Sequence, residues 1–219
     1  MIKLMLKNMV FVILFFSALI VAQDSNDFLS FRYGFIGQKA NNPDSLFLLE
    51  DGSVLNSGDG LKLNVEFEKG TYSYVIHFSS EEEYALLYTS SSQEETDMTD
   101  VIFTTLGWQS LDNVTGDEVF FLISSYDRLL KLEDLFDKHN QAKGKSRRKF
   151  SRRITGELEN IEKIDEDKKP SQLVQRLEKP VIGGVTFRGA AEGQIMEQSL
   201  THKTAGGKRA VAVIKVNHK

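Results

Sequence analysis

Between Leu61 and Glu68 apolar and polar residues alternate without a fault (Leu61-Lys-Leu63-Asn-Val65-Glu-Phe67-Glu), the period of a strand with one buried face. Lys69-Gly70 breaks the run, and residues 71–78 then place Tyr72, Tyr74, Ile76 and Phe78 on one face. Two such runs around a glycine-containing link predict a hairpin. The same pattern predicts strands at 45–49, 84–88, 101–105 and 119–124. The last of these (Val-Phe-Phe-Leu-Ile-Ser) is nearly all apolar, which puts it in the middle of a sheet with both faces covered. Turn-forming or acidic stretches separate the runs at 50–53, 57–60, 90–100 and 113–117. Short strands at this spacing predict a sandwich or barrel.

The period then changes. Over 127–139 Leu129, Leu132 and Phe136 recur at helical spacing, with Asp127 placed as the N-cap. Phe150, Ile154, Leu158 and Ile161 follow at steps of four, four and three, an amphipathic helix interrupted only by Gly156. Pro170 and Pro180 bracket a short stretch that reads as helical, with Leu173, Val174 and Leu177. Strand character returns at 181–188 and 209–216, the last run entered through the turn Ala205-Gly-Gly-Lys208. The expected fold is mainly β: an antiparallel β-sandwich or barrel-like domain with a charged helical insertion and C-terminal strands returning to the sheet. Its divisions are a β-domain over 28–135, a charged helical or linker segment over 136–180, and strands over 181–219 that belong to the β-domain.

The start of the chain changes the compartment. Lys3 and Lys7 precede fourteen uncharged residues from Met9 to Ala22, and a polar stretch begins at Gln23. A basic start, an apolar middle and a small residue at the cut are the layout of a secretory signal peptide over 1–22. The alternative, an uncleaved anchor, needs about 20 apolar residues to cross hydrocarbon. Membrane contact is therefore expected only through this segment before cleavage, with the protein itself periplasmic or extracellular. The chain has no cysteine, which excludes disulfides, thiol catalysis, cysteine-based zinc sites and a lipid-anchored start. No cofactor is expected. Charge is divided between the halves: 21 acidic and 6 basic side chains from Asp24 to Leu135, against 10 and 19 from Phe136 to Lys219. Either the halves pack together or the basic half meets an outside polyanion.

In the middle of the chain Ser57-Gly58-Asp59 leads into an alternating strand, followed by Tyr72-x-Tyr74-Val75 and a strand ending Leu86-Leu87-Tyr88. Then Gly116-x-Glu118 opens the run Phe120-Phe-Leu-Ile-Ser-Ser125, with Leu129-x-x-Leu132 beyond it. In order and spacing these motifs resemble the bacterial family catalogued as domain of unknown function 4384, over about 45–135. Where the family has Leu-Phe-Pro after its third strand, this chain has Leu87-Tyr88-Thr89. The resemblance implies a β-sandwich module of exported or envelope proteins, a family without established catalytic residues, so none is carried over.

Candidate chemistry is sparse. His77, His139, His202 and His218 show no metal-ligand or nucleophile–base spacing. His77 falls on the face opposite Tyr72 and Tyr74, the place of an ordinary surface histidine. The serine pairs lack a nucleophile-elbow pattern and read as turns and strand ends. Asp51 and Asp59, with Asp97 and Asp100, have the acid–glycine texture of calcium loops, which hairpin turns share. Trp108 reads as a core or loop anchor, with sugar stacking as the alternative.

The loudest feature is basic: Lys143, Lys145, Arg147, Arg148, Lys149, Arg152 and Arg153 with no acid among them. These residues are the candidate contact for a polyanion or partner. The competing reading is a solvated connector, or a segment docked on the acidic β-domain. Nucleic acid is not expected, because its readers interleave aromatics and Phe150 is claimed by the apolar stripe. The sequence therefore points to a non-enzymatic envelope protein that binds a protein or an anionic polymer, with a secreted hydrolase of scattered acidic residues as the alternative. N-terminal sequencing of native protein is expected to begin at or near Gln23; an intact Met1 in an alkali-resistant membrane fraction would refute cleavage.

Overall fold

The computed structural model describes residues 29–90, 101–166, 172–176 and 202–219 of the chain. The signal segment, the strand expected at 181–188 and the acids at Asp97 and Asp100 lie outside the described residues. In chain order the elements are β1 (Ser30–Lys39), β2 (Asn42–Leu49), β3 (Ser53–Leu55), β4 (Gly60–Glu68), β5 (Tyr72–Phe78), β6 (Tyr84–Ser90), β7 (Val101–Ser110) and β8 (Gly116–Ser125). They continue with α1 (Leu130–Gln141), α2 (Lys145–Glu166), β9 (Gln172–Arg176), β10 (His202–Ala205) and β11 (Arg209–His218).

The strands form two sheets. One runs β7-β4-β1-β10-β9, with β2 also paired to β1; the other runs β3-β11-β8-β5-β6. Pairing is antiparallel except between β3 and β11. The alternating residues of β4 (Leu61, Leu63, Val65 and Phe67) face Phe120 and Leu122 of β8 and Ala210, Ala212, Ile214 and Val216 of β11 in one core between the sheets. The second sheet is apolar on its other face too. There Tyr74, Ile76 and Ile123 pack against Leu132, Leu135 and Phe136 of α1 and Ile154, Leu158 and Ile161 of α2. The molecule is thus a β-sandwich with a helix pair laid over one sheet, the expected fold with a third layer. β8 sits mid-sheet between β11 and β5, as its continuous apolar run requires. β10 and β11 return from beyond the helices to opposite sheets, pairing with β1 and β8.

Three expectations are corrected. β4 and β5 do not form a hairpin: β4 pairs with β1 and β7, β5 with β6 and β8. Both runs are strands, but the Lys69-Gly70 turn, with Gly70 at φ 77°, carries the chain from one sheet to the other. Asp127 does not cap α1, whose N-cap position is Leu129 without a side-chain cap. The Leu129 N–H donates instead to the Tyr74 hydroxyl, which donates to the Glu133 carboxylate (3.0 and 2.8 Å), so a tyrosine of β5 satisfies an orphan amide of the helix start. Finally, Gln172–Arg176 is strand β9, not helix. The nine residues between Pro170 and Pro180 are too few to hold an isolated helix in water, whereas β10 supplies a ready ladder.

Ile214 and Val213 are neighbours in β11 on opposite faces, one 3 % and the other 42 % exposed. Ile214→Ala is expected to lower unfolding free energy by about 2–4 kcal/mol and Val213→Ala by under about 0.5 kcal/mol, measured by denaturant titration; equal losses would show that β11 is not seated as described.

Candidate functional site

The same two-residue period that builds the core brings polar groups together at one end of the sandwich. Glu118 is in step with Phe120 and Leu122, His77 with Val75, and His218 with Ile214 and Val216, so all three side chains enter the space between the sheets. In register His77 is opposite Phe120 and Glu118 opposite Val216, which places Glu118 between two imidazoles. His77 Nε2 is 2.6 Å from Glu118 Oε2, and its ring stacks on Phe120 at 4.7 Å. His218, with no exposed side-chain surface, has Nδ1 3.9 Å from Glu118 Oε1 and Nε2 3.0 Å from Ser57 Oγ. The Ser80 amide donates to Glu118 Oε1 at 3.2 Å. Burial works to raise the Glu118 pKa, but the hydrogen bonds from His77 and Ser80 outweigh it, and the carboxyl sits below its ordinary value.

Local backbone is shaped to this end. Gly116 adopts φ 149°, and a Cβ there would meet Ser80 Cβ at 2.9 Å, so glycine is required. Asp59 accepts from the Ala40 and Asn56 amides and from Lys39 Nζ. Burial opposes its ionisation, but these donors prevail and lower its pKa. Asp59 is therefore a turn anchor whose oxygens are taken by donors, and among the described residues no three His, Asp or Glu side chains converge as a metal set.

His77 is not the surface histidine its position had implied, because the face opposite the tyrosines looks into the sandwich. Sequence reasoning missed this cluster, although a charged residue in step with Phe120 and Leu122 is its one readable trace. The order Ser57–His218–Glu118 superficially matches nucleophile, base and acid. Its atoms do not complete that chemistry: 3.9 Å is too long for a hydrogen bond, and the Ser57 and Gly58 amides donate to the carbonyls of Lys219 and Leu111. Neither is left to hold an oxyanion. The neighbouring cleft, about 150 Å³, opens beside His77, Ser79 and Ser80, not beside Ser57. Trp108 is neither core nor loop anchor; it lies in β7, 42 % exposed.

The basic segment is ordered. Lys143 lies between the helices, and the other six bases fall within α2. Arg147 turns inward and donates to Glu83 at 2.6 Å. Arg153 lies 5.8 Å from the Phe150 ring centroid. At 3.6 residues per turn Lys145, Lys149 and Arg152 fall opposite the buried Ile154, Leu158 and Ile161, with Arg148 and Arg153 on the two flanks, and all five are exposed. Lys145, Arg148, Lys149 and Arg152 make no ion pair among the described residues. The first turn of α2 has no acidic residue. Positive charge at a helix N-terminus opposes the macrodipole, and Lys145/Lys149 and Arg148/Arg152 are like charges four apart.

No family model matches the chain, and no curated protein matches it either.

The depressed Glu118 pKa has a consequence for acid stability. A group whose folded pKa lies below its unfolded value of about 4.3 contributes stability above that pH and loses it as pH falls through the folded value. Glu118→Gln is expected to cost about 1–3 kcal/mol at pH 7, and the gap from the parent should narrow below about pH 4. A gap constant from pH 7 to pH 3 in thermal unfolding would remove Glu118 from the acid transition.

Proposed function

We propose that the protein is an exported, non-catalytic binding module of a bacterial cell envelope, and that it holds an anionic polymer on the outward face of α2. The observation that carries this reading is the unpaired basic stripe. Five exposed bases occupy two and a half turns of a helix whose orientation is set by its buried side, and those of the first turn stand where helix electrostatics disfavour them. Folding does not need them there: surface pairs are worth about 0–1 kcal/mol, and Arg147–Glu83 already ties the helix to the β5–β6 turn. A stripe of this kind suits phosphate- or carboxylate-bearing chains, whose counterions are released on contact. The leader-like start at Lys3–Ala22 and the resemblance over 45–135 to a family of exported modules support the location. A hydrolase receives less support, since Ser57–His218–Glu118 has no free oxyanion donor.

The test is retention on immobilised heparin. A variant with Lys145, Arg148, Lys149, Arg152 and Arg153 changed to Gln leaves Arg147–Glu83 intact. The parent is expected to bind at low salt and elute as ionic strength approaches physiological values. The salt slope is expected to fall by about four in the variant, near 0.7–0.9 per charge removed. The variant is also expected to melt no lower than the parent, because like-charge repulsion at the start of α2 is relieved. Failure of the parent to bind at low salt, or equal binding by both proteins, overturns the proposal.

A further inference from the structure

The basic helix also borders a cleft that its outward stripe does not explain. A cleft of about 300 Å³ lies between the N-terminal half of α2 and the β5–β6 turn. One wall carries Arg148 and Arg152, one turn apart on the helix; the other carries Glu81 and Glu82 on the turn. Tyr84 Oη and Thr155 Oγ1, 3.0 Å apart, lie between the walls, and the Arg147–Glu83 pair ties the two walls together. The turn is held by its own backbone bonds, Ser79 N to Glu83 O and Glu82 N to Ser79 O, with Glu82 at φ 60°. Glu81, Glu82, Arg148 and Arg152 are exposed, and their side chains make no ion pair among the described residues. Two bases and two acids thus face one cleft without neutralising each other.

We infer that this cleft binds a small zwitterion of the aminoalkyl phosphate class, its phosphate on Arg148 and Arg152 and its ammonium on Glu81 and Glu82. The stoichiometry favours this class. A phosphate offers three oxygens and up to two negative charges to two guanidinium forks, where one carboxylate would serve a single fork. An ammonium has three N–H donors for two carboxylates. A simple anion is attracted by one wall and repelled by the other; a zwitterion satisfies both. The same chemistry occurs in a free aminoalkyl phosphate and in a lipid headgroup.

The inference goes beyond the polymer reading and fails separately from it, because Glu81 and Glu82 have no part in holding a polyanion. Calorimetric titration of the full chain compares O-phosphoethanolamine, inorganic phosphate and ethanolamine. Phosphoethanolamine is expected to bind at least tenfold more tightly than either half alone. Glu81→Gln/Glu82→Gln is expected to weaken it at least fivefold while leaving heparin retention equal or stronger, and Arg148→Gln/Arg152→Gln to weaken both. Co-sedimentation with phosphatidylethanolamine vesicles, competed by free phosphoethanolamine, identifies a headgroup source; binding of the free compound without sedimentation identifies a soluble one. No saturable binding, phosphate as tight as phosphoethanolamine, or unchanged affinity in the Glu81/Glu82 variant overturns the inference.

Discussion

The second sheet is buried on both faces, and this constraint orders the rest of the molecule. In β8 Phe120 and Leu122 face the first sheet while Phe121 and Ile123 lie under the helices. Each such side chain is worth about 1.5–3 kcal/mol when fully covered. A two-layer sandwich would leave Tyr74, Ile76 and Ile123 in water, so the helix pair is part of the fold. The apolar stripe of α2 admits one orientation, and that orientation fixes where its charges go. Ile154, Leu158 and Ile161 turn inward, and the bases between Lys145 and Arg153 are thrown outward or onto the β5–β6 turn.

Period-two alternation marks a face but not a partner, and that limit explains what was legible. β4, β8 and β11 could be read from their residues, and so could the central place of β8 and the return of β11 to the sheet. The pairing of β4 could not, because a strand facing inward from one sheet has the same pattern as a strand facing inward from the other. A glycine turn serves a hairpin or an arch between sheets equally well. β9 escapes its own pattern for a related reason: its five residues take their state from the β10 edge, not from their own periodicity. Tyr74 capping α1 from 55 positions away leaves no local trace at all.

The candidate site was legible in part. The basic run stands out in any reading, and its amphipathic relation to Phe150, Ile154, Leu158 and Ile161 follows from spacing alone. Its partner wall does not, since Glu81–Glu83 lie more than sixty residues earlier and meet α2 only because the helix covers β5 and β6. The sequence places His77 opposite the tyrosines, which means solvent only if β5 has a single core face. In a three-layer arrangement the opposite face is interior as well, and a histidine there must find a partner. Glu118 supplies it, itself forced inward by the alternation of β8. The cluster is thus a product of two strands whose polar ends enter the same interior, where mutual pairing is the cheapest solution.

The division of charge between the halves has the same logic. Opposite charge on the two halves predicts attraction, yet among the described residues the Lys/Arg pairs that cross between them are Arg147 with Glu83, Lys215 with Asp117, the local pair Lys138 with Asp134 and, with the signs reversed, Lys131 with Glu157. Exposed pairs contribute about 0–1 kcal/mol each, far less than the apolar stripe of α2, so packing decides the docking and charge only trims it. Were neutralisation the purpose of the basic segment, its bases would lie on the inward edge beside Glu81 and Glu82. Among the described residues only Arg147 of these bases makes contact there, with Glu83; Arg148 and Arg152 stop across a cleft, and Lys145, Lys149 and Arg153 face away. Charge left unneutralised at the start of α2, where the macrodipole disfavours it, is therefore not accounted for by the packing of the helix.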